Sequence, residues 1–322
     1  NINKGEINNF GGQIRFDQDL TNEADGEINN FDGSLVVGGT ANNQADGFVG
    51  GRGQFVADGG WTNSGVMAFS GTTDILGDVV NDTGGQIVTS GGATTTIFDD
   101  VEHNGDEIRT SSDSRTVIFG QASGAGPYTG DGTVYFEGDL RPGNSPSTVS
   151  FGGNVVLGTT STTQIELGGL TADAQHDQLN IAGTANLDGT LQLAPLAPYS
   201  DPATRGTADD FTIISAGVRS GTFSTVQYDG STLAPDVETD GDGSFRDHVA
   251  GGLFRSVTYT STSVSVQNLL ASAGDTDGDR DVDTVDLTGM IINYTGAIGS
   301  GTTWLTGDTD GDGDTDTVDP TT

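Results

Sequence analysis

The chain contains no cysteine among its 322 residues, so disulfide bonds and thiolate metal sites are excluded. Basic residues are also scarce: 11 lysines and arginines stand against 46 acidic residues, which gives a formal net charge of −35. A surface with this charge repels phosphate backbones and anionic lipid headgroups. We therefore expect no nucleic-acid partner.

Long apolar runs are missing as well. Hydrophobic residues make up 32% of the chain, and no run of about 18 apolar residues occurs, so we predict no membrane insertion. Glycine, with 52 residues, is about twice as frequent as in an average protein. This balance predicts a thin, elongated core. A single lysine among many Gly, Thr, Asn and Asp residues favours a secreted protein, extracellular or at the cell surface.

A repeat of 20 to 21 residues organises the first part of the chain. The segment 5–10, GEINNF, recurs at 26–31, and the segment 22–26 recurs with substitutions at 43–47. The apolar positions keep their phase in two sets, Ile7, Ile28 and Val49, and Ile14, Leu35 and Val56. Short strands separated by Asn, Asp and Gly turns at this period predict a parallel β-solenoid, in which stacked coils share one core.

The strict repeat fades from about residue 131, but strands separated by glycine turns continue to about residue 268. We therefore predict an all-β fold. A parallel β-helix covers residues 1–268, less regular from about 131, and a small C-terminal module of helix and loops covers 269–322.

The segment 140–146 reads LRPGNSP and is followed by alternating strands. It resembles the PGNSPG stretch of bacterial autotransporter-type β-helical passenger proteins. The resemblance covers about residues 130–225, and Ser147 stands where that family often has glycine. It implies a secreted, surface-associated bacterial β-helix and transfers no catalytic residue.

Two acidic frames of twelve residues lie near the C-terminus, at 275–286 and 308–319. Each places carboxylates at positions 1, 3, 5, 9 and 12 and can offer a backbone carbonyl at position 7. A short loop that wraps Ca²⁺ supplies its six to eight oxygens in this alternating way. We therefore predict two calcium sites, formed by Asp275, Asp277, Asp279, Asp281, Asp283 and Asp286, and by Asp308, Asp310, Asp312, Asp314, Asp316 and Asp319.

This pair of frames resembles the duplicated calcium-binding motif of type I dockerins, over about residues 274–319. Both frames end in aspartate, and apolar residues follow the first at helical spacing, namely Leu287, Met290, Ile291 and Tyr294. The resemblance implies that positions 10 and 11 contact a cohesin-like partner; here they are Thr284, Val285, Thr317 and Val318. The chain departs from the family at Arg280, which replaces glycine, and at Pro320, directly after the second frame.

A third acidic frame, over 236–247, lacks an apolar eighth residue and a following helix. We interpret it as a solvated turn in preference to a weak calcium site. The three histidines, His103, His176 and His248, lack the close spacing of a zinc site, and we expect them at the surface. We expect the aromatic residues Trp61, Tyr128 and Phe136 to lie in the core or at coil edges. We prefer this to the alternative that they form a surface on which a sugar stacks.

The cluster at 98–103, FDDVEH, places a carboxylate pair near a histidine, as a site for polysaccharide cleavage would. Adjacent carboxylates on a strand point to opposite faces, and no companion Arg or Lys group accompanies them. Lyases that act on acidic polysaccharides also need cationic grooves, which a strongly acidic chain hardly provides. We therefore predict no catalytic residue.

Together these features predict a non-enzymatic extracellular structural protein, a calcium-stabilised β-solenoid of a surface or fibre. Open solenoid ends present unpaired strands, and contacts that do not close produce filaments, so we expect head-to-tail self-association into a homopolymer. The alternative is a secreted polysaccharide-active β-helix enzyme or an adhesin, anchored through the dockerin-like module.

Overall fold

The computed structural model describes residues 1–143, 146–197, 209–235, 243–278, 281–296, 300–316 and 319. Strands hold 54% of the chain and helices 5%, and the strands form a parallel β-solenoid followed by a small C-terminal helix and loop region. The predicted fold class is therefore confirmed. The chain divides into two compact units, the first made of 1–195, 213–231 and 260–263 and the second of 196–212, 232–259 and 264–322. The boundary between residues 268 and 269 stays a prediction.

The strands are short and follow one another closely. The first fifteen are β1 (Ile2–Asn3), β2 (Glu6–Asn9), β3 (Gln13–Phe16), β4 (Leu20–Asn22), β5 (Glu27–Val37), β6 (Ala41–Asn43), β7 (Phe48–Ala57), β8 (Trp61–Asn63), β9 (Val66–Leu76), β10 (Val79–Asn81), β11 (Gln86–Thr89), β12 (Thr94–Ile97), β13 (Val101–His103), β14 (Glu107–Thr110) and β15 (Arg115–Ile118).

The next fifteen are β16 (Ala122–Gly124), β17 (Tyr128–Thr129), β18 (Thr133–Phe136), β19 (Leu140–Pro142), β20 (Thr148–Phe151), β21 (Asn154–Leu157), β22 (Thr162–Leu167), β23 (Gln178–Leu187), β24 (Thr190–Pro195), β25 (Asp209–Gly221), β26 (Thr225–Tyr228), β27 (Ser231–Thr232), β28 (Phe245–Ala250), β29 (Leu253–Tyr259) and β30 (Ser263–Leu270). Helix α1 (Thr284–Asn293) and a 3₁₀ turn (Trp304–Thr306) follow.

The solenoid strands form three parallel stacks. One is a twelve-stranded sheet with the order β1-β4-β6-β8-β10-β13-β16-β19-β22-β24-β26-β27. The second stack begins β2-β5-β7-β9-β11-β14, and the third begins β3-β5-β7-β9-β12-β15. The long strands β5, β7 and β9 serve both of these stacks, because they pass the corner of the coil without a break.

The register confirms one of the two predicted apolar sets. Ile28 pairs with Ile7 on one side and with Val49 on the other. In the second set, however, Leu35 pairs with Phe55 rather than with Val56.

That prediction was wrong by one residue because the register shifts between Phe31 and Gly33. Asp32 stands there as an extra residue with φ 60°, which β7 lacks. The coil therefore shortens from 21 to 20 residues at this bulge.

A ladder of buried polar side chains runs along the twelve-stranded sheet, in the order Asn3, Asn22, Asn43, Asn63, Asn81 and His103. Each asparagine Nδ2 donates to Oδ1 of the next asparagine at 2.7–2.8 Å. The same Nδ2 atoms donate to backbone carbonyls, for example from Asn22 to Gly26 O at 2.9 Å. The ladder therefore satisfies buried amides by linking each coil to the next.

The histidine prediction was wrong for two of the three residues. His103 is fully buried and His176 is 3% exposed, while His248 is half-buried. His103 is buried because its Nδ1 takes the next place in the asparagine ladder. In His176, Nδ1 lies 2.9 Å from Gly169 O, which compensates for its burial. Trp61, Tyr128 and Phe136 are all buried, in agreement with the core interpretation.

The second unit contains a three-stranded antiparallel sheet in which β29 pairs with both β28 and β30. Its buried side chains include Phe254, Val257 and Val266. Helix α1 and the two acidic loops belong to the same unit.

Candidate metal centre

The first acidic loop, residues 275–286, leads directly into helix α1. Asp283 Oδ1 accepts a hydrogen bond from Val285 N at 2.6 Å, and Asp286 Oδ2 accepts one from Asp283 N at 2.8 Å. This reciprocal capping box holds the Asp286 carboxylate in the first helical turn, where the helix dipole favours negative charge.

The carboxylates of this loop converge in two overlapping groups. Oxygens of Asp275, Asp277 and Asp286 lie within 4.8 Å of one another, and the same holds for Asp281, Asp283 and Asp286. Asp286, at position 12, belongs to both groups and stands at their junction.

Backbone amides fix the carboxylates of the first loop in place. Gly278 N donates to Asp275 Oδ1 at 2.6 Å, and Thr276 N donates to Asp286 Oδ1 at 2.6 Å. The first bond closes a turn within the loop, and the second brings the beginning of the loop next to its twelfth residue.

The second loop, residues 308–319, repeats this arrangement. Its carboxylates form one group of Asp308, Asp310 and Asp319 and another of Asp314, Asp316 and Asp319, again within 4.8 Å.

The hydrogen bonds of the two loops match position by position. Gly311 N donates to Asp308 Oδ1 at 2.8 Å, and Thr309 N donates to Asp319 Oδ1 at 2.7 Å. Asp316 N donates to Asp319 Oδ2 at 2.6 Å, as Asp283 N does to Asp286 in the first loop. The two frames recognised in the sequence therefore fold into the same local structure.

Ten of the twelve predicted ligands fall into these groups. Asp312 is exposed and belongs to none of the groups formed by the described residues. At position 7, Asp281 and Asp314 bring side-chain oxygens to the groups, where the sequence suggested a backbone carbonyl. The predicted residues Asp279, Thr317 and Val318 lie outside the described residues, and so do Arg280, Pro320 and most of the third acidic frame.

Several of these carboxylates are buried close together. Asp275, Asp286, Asp308 and Asp319 are at most 7% exposed. Burial, followed by the charges of Asp312, Asp316 and their neighbours, raises the pKa of Asp314. Its Oδ1 accepts no hydrogen bond from the described residues. Carboxylates in this state are stabilised by a bound cation, and an all-oxygen donor set suits hard ions such as Ca²⁺.

The first loop also packs against other parts of the second unit. Trp304 Nε1 donates to Asp275 O at 2.7 Å, and Arg246 Nη1 donates to Asp277 O at 3.3 Å. Gly278 lies so close to Phe254 that an added Cβ would come within 2.4 Å of the ring. No sequence pattern predicts these contacts, because Arg246 and Phe254 belong to strands that carry no part of the loop motif.

Helix α1 exposes most of its apolar side chains. Exposed fractions of 49–75% are found for Val285, Leu287, Ile291, Ile292 and Tyr294. Met290 alone of the four residues predicted at helical spacing is buried. Val285, predicted to contact a partner, therefore lies on an exposed apolar surface, and Thr284 begins the same helix.

The carboxylates of Asp99 and Asp100 accept hydrogen bonds from backbone amides in the turns of different coils. Asp99 Oδ2 accepts from Gly77 N, and Asp100 Oδ1 accepts from Gln121 N, both at 2.7 Å. On β13, Glu102 faces outwards and His103 faces the core. These side chains do not converge on a common point.

Comparison with protein-family models and with curated proteins gives no match. In the described part of the chain, no helix is long and apolar enough to cross a membrane.

Proposed function

We propose that this protein is a non-enzymatic, secreted structural β-solenoid whose C-terminal unit is stabilised by calcium in two dockerin-like loops. The observation that carries the proposal is the position-by-position match of the two loops. Two loops with the same carboxylate groups and the same amide contacts are expected where both hold the same ion.

Bound calcium would supply the positive charge that balances the clustered carboxylates of each loop. Without a cation, the clustered carboxylates of each loop repel one another. An ion bound only by the folded state stabilises it by about 2.7 kcal/mol when its concentration is a hundred times Kd. Extracellular calcium modules bind with Kd of roughly 10⁻⁴–10⁻³ M, which fits a secreted chain.

The secreted, surface-associated part of the proposal is supported by the chain's composition and by its solenoid fold. The net charge of −35, the single lysine and the PGNSPG-like segment all agree with a bacterial autotransporter-type β-helix. Head-to-tail assembly stays a prediction. Electron microscopy with calcium and after chelation tests it, since filaments that fall apart on chelation are expected.

The exposed apolar side of helix α1 supports a protein partner of the cohesin type. Leu287, Ile291 and Tyr294 follow one another at helical spacing and are all more than half exposed. Exposed apolar side chains on one side of a helix are typical of a surface that packs against an apolar groove of another protein. Enzymatic activity and adhesion remain the alternative.

Terbium luminescence tests the calcium proposal directly. Tb³⁺ occupies calcium sites and emits when a nearby tryptophan is excited, and Trp304 touches the first loop through Asp275 O. We expect sensitised emission that calcium displaces and that Trp304→Phe strongly reduces. Asp286→Asn and Asp319→Asn should each weaken Tb³⁺ binding at one of the two loops, whereas Asp113→Asn, in an exposed solenoid turn, should leave it unchanged. A titration that neither Asp286→Asn nor Asp319→Asn changes would contradict the proposal.

A further inference from the structure

A polar cleft of about 250 Å³ lies on the outer face of the twelve-stranded sheet, within the first unit. Strands β16, β19 and β22 are neighbours in that sheet. The residues that line the cleft include Gln121, Ser123, Arg141, Gln164, Glu166 and Asp177.

The cleft is formed by the side chains that the solenoid turns away from its core. Ser123 pairs with Arg141, and Leu140 pairs with Thr163, so Arg141 and Gln164 stand next to each other. The alternate residues of the same strands, such as Leu140, are buried. The polar groups of the cleft therefore rest on a fixed apolar layer.

Asp177 holds one wall of the cleft in place. It is 1% exposed, and its two oxygens accept hydrogen bonds from Ser147 N and Glu166 N, both at 2.8 Å. Asp177 N donates in return to Glu166 O at 3.0 Å. These bonds tie the segment before β20 to strand β22 and preorganise the site.

Glu166 lines the same cleft with a carboxylate oxygen in need of a donor. Its Oε2 is buried and accepts no hydrogen bond from the described residues. A buried acceptor in this state is unfavourable unless a ligand or solvent supplies the missing hydrogen. A ligand hydroxyl at this point would do so.

The hydrogen-bond donors and acceptors that line the cleft limit the kind of ligand it can bind. The amides of Gln121 and Gln164 both donate and accept, Glu166 accepts, and Arg141 donates, so the ligand must do both as well. An anion is disfavoured by Glu166 and Asp177, and the Arg141 guanidinium already lies 3.7 Å from Asp139. Among the described residues, no aromatic side chain lines the cleft, so hydrogen bonds rather than stacking would hold the ligand.

We propose that this cleft binds one pyranose unit of a glycan through its hydroxyl groups. A volume of about 250 Å³ equals that of roughly eight liquid waters, which is room for one sugar ring with its hydroxyls. The cleft lies on the solenoid and is independent of the calcium loops. Failure of one proposal therefore leaves the other intact.

Saturation-transfer NMR on the intact chain with calcium tests this site. The probes are the methyl glycosides of glucose, galactose, mannose, N-acetylglucosamine and glucuronic acid, each also offered as a short oligosaccharide. We expect transfer to at least one neutral glycoside, and stronger binding of its oligosaccharide if a polymer is the natural source. Comparable binding of the free glycoside and its oligosaccharide would identify a free sugar as the source.

Matched variants place the binding in the cleft. Glu166→Ala and Gln164→Ala should each weaken binding by roughly tenfold or more. Gln192→Ala is the control, because Gln192 pairs with Gln164 in the next strand but does not line the cleft. Thermal unfolding confirms that each variant folds. Absence of transfer to every probe, or equal transfer in Glu166→Ala and the unaltered chain, would overturn the proposal.

Discussion

Asn81 and His103 are joined by a buried hydrogen bond in which Asn81 Nδ2 lies 3.1 Å from His103 Nδ1. The other ring nitrogen, Nε2, lies 2.9 Å from Pro127 O. A carbonyl only accepts, so these partners assign the proton to Nε2 and leave Nδ1 to accept from Asn81. A neutral imidazole thus takes the place that an amide holds in the preceding coils. Burial lowers the pKa of His103, against a smaller opposite effect of the bond to Pro127.

This bond predicts a pH-dependent loss of solenoid stability. Because the pKa of His103 is lower in the folded chain than its ordinary value of about 6.5, the unfolded chain binds more protons in the interval between the two values. The contribution of His103 to stability should therefore fall as the pH drops below about 6.5 and stop falling below its folded pKa.

His103→Asn should remove this dependence, since asparagine continues the ladder without titrating. Urea unfolding at about pH 7.5 and about pH 5 measures the change in both proteins. The comparison cancels Asp177, whose pKa is raised to about 7 mainly by burial and whose effect on stability has the opposite sign. Equal pH dependence in the two proteins would refute the role of His103.

The middle of the asparagine ladder is predicted to be sensitive to truncation. Asn43→Ala removes the acceptor of Asn22 Nδ2 and the donor to Asn63 Oδ1, both buried. We expect a loss of about 2–4 kcal/mol in the free energy of unfolding. Asn42→Ala, on the outer side of the same strand, is the control and should cost less than about 0.5 kcal/mol. Chemical denaturation of both variants decides the point, and equal costs would contradict it.

The fourth residue of each acidic loop offers a matched pair of substitutions. Gly278 and Gly311 both have positive φ, but only Gly278 packs against a side chain, the ring of Phe254. Both changes to alanine carry a similar backbone cost, and Gly278→Ala adds a clash of about 1–3 kcal/mol. Calcium binding to the first loop should weaken more in Gly278→Ala than binding to the second loop weakens in Gly311→Ala. Calorimetric titration of each variant measures this, and the reverse order would show that the first loop does not rest on Phe254.

The exposed side of helix α1 is predicted to bind a partner. Ile291→Asp should reduce binding to a responsive type I cohesin by roughly thirtyfold, the effect of losing about 2 kcal/mol at an apolar contact. Ile2→Asp is a matched control, because both isoleucines are 65% exposed. Surface plasmon resonance against a panel of cohesins measures the effect. Unchanged binding in Ile291→Asp, or failure of every cohesin to bind, would rule out this surface.

The parts of the structure that repeat were predictable from the sequence. Ile7 and Ile28 lie one coil apart in the sequence and pair in the sheet, because a solenoid converts sequence period into strand register. The acidic loops were predictable for a similar reason, since a loop that wraps one ion fixes the spacing of its carboxylates.

Features that depend on contacts between coils were not predictable. In the sequence, Asn43 looks like one of the many Asn residues of the repeat's turns. Only the stacked structure shows that its buried amide donates a hydrogen bond to Asn63 in the next coil. The register shift at Asp32 depends on one residue that adopts a positive φ. The residue type at this position does not by itself require that conformation. The cleft at Glu166 is lined by residues from strands about one coil apart and from the segment around Asp177. No local sequence pattern predicts that these residues lie together.

Calorimetric titration of the metal-stripped chain with calcium measures whether the two loops bind the ion. We expect two bound ions, with one site lost or greatly weakened in Asp286→Asn and the other in Asp319→Asn. Both aspartates stand where the two carboxylate groups of their loops meet. No heat of binding, or a stoichiometry that neither substitution changes, would show that the acidic loops do not bind calcium.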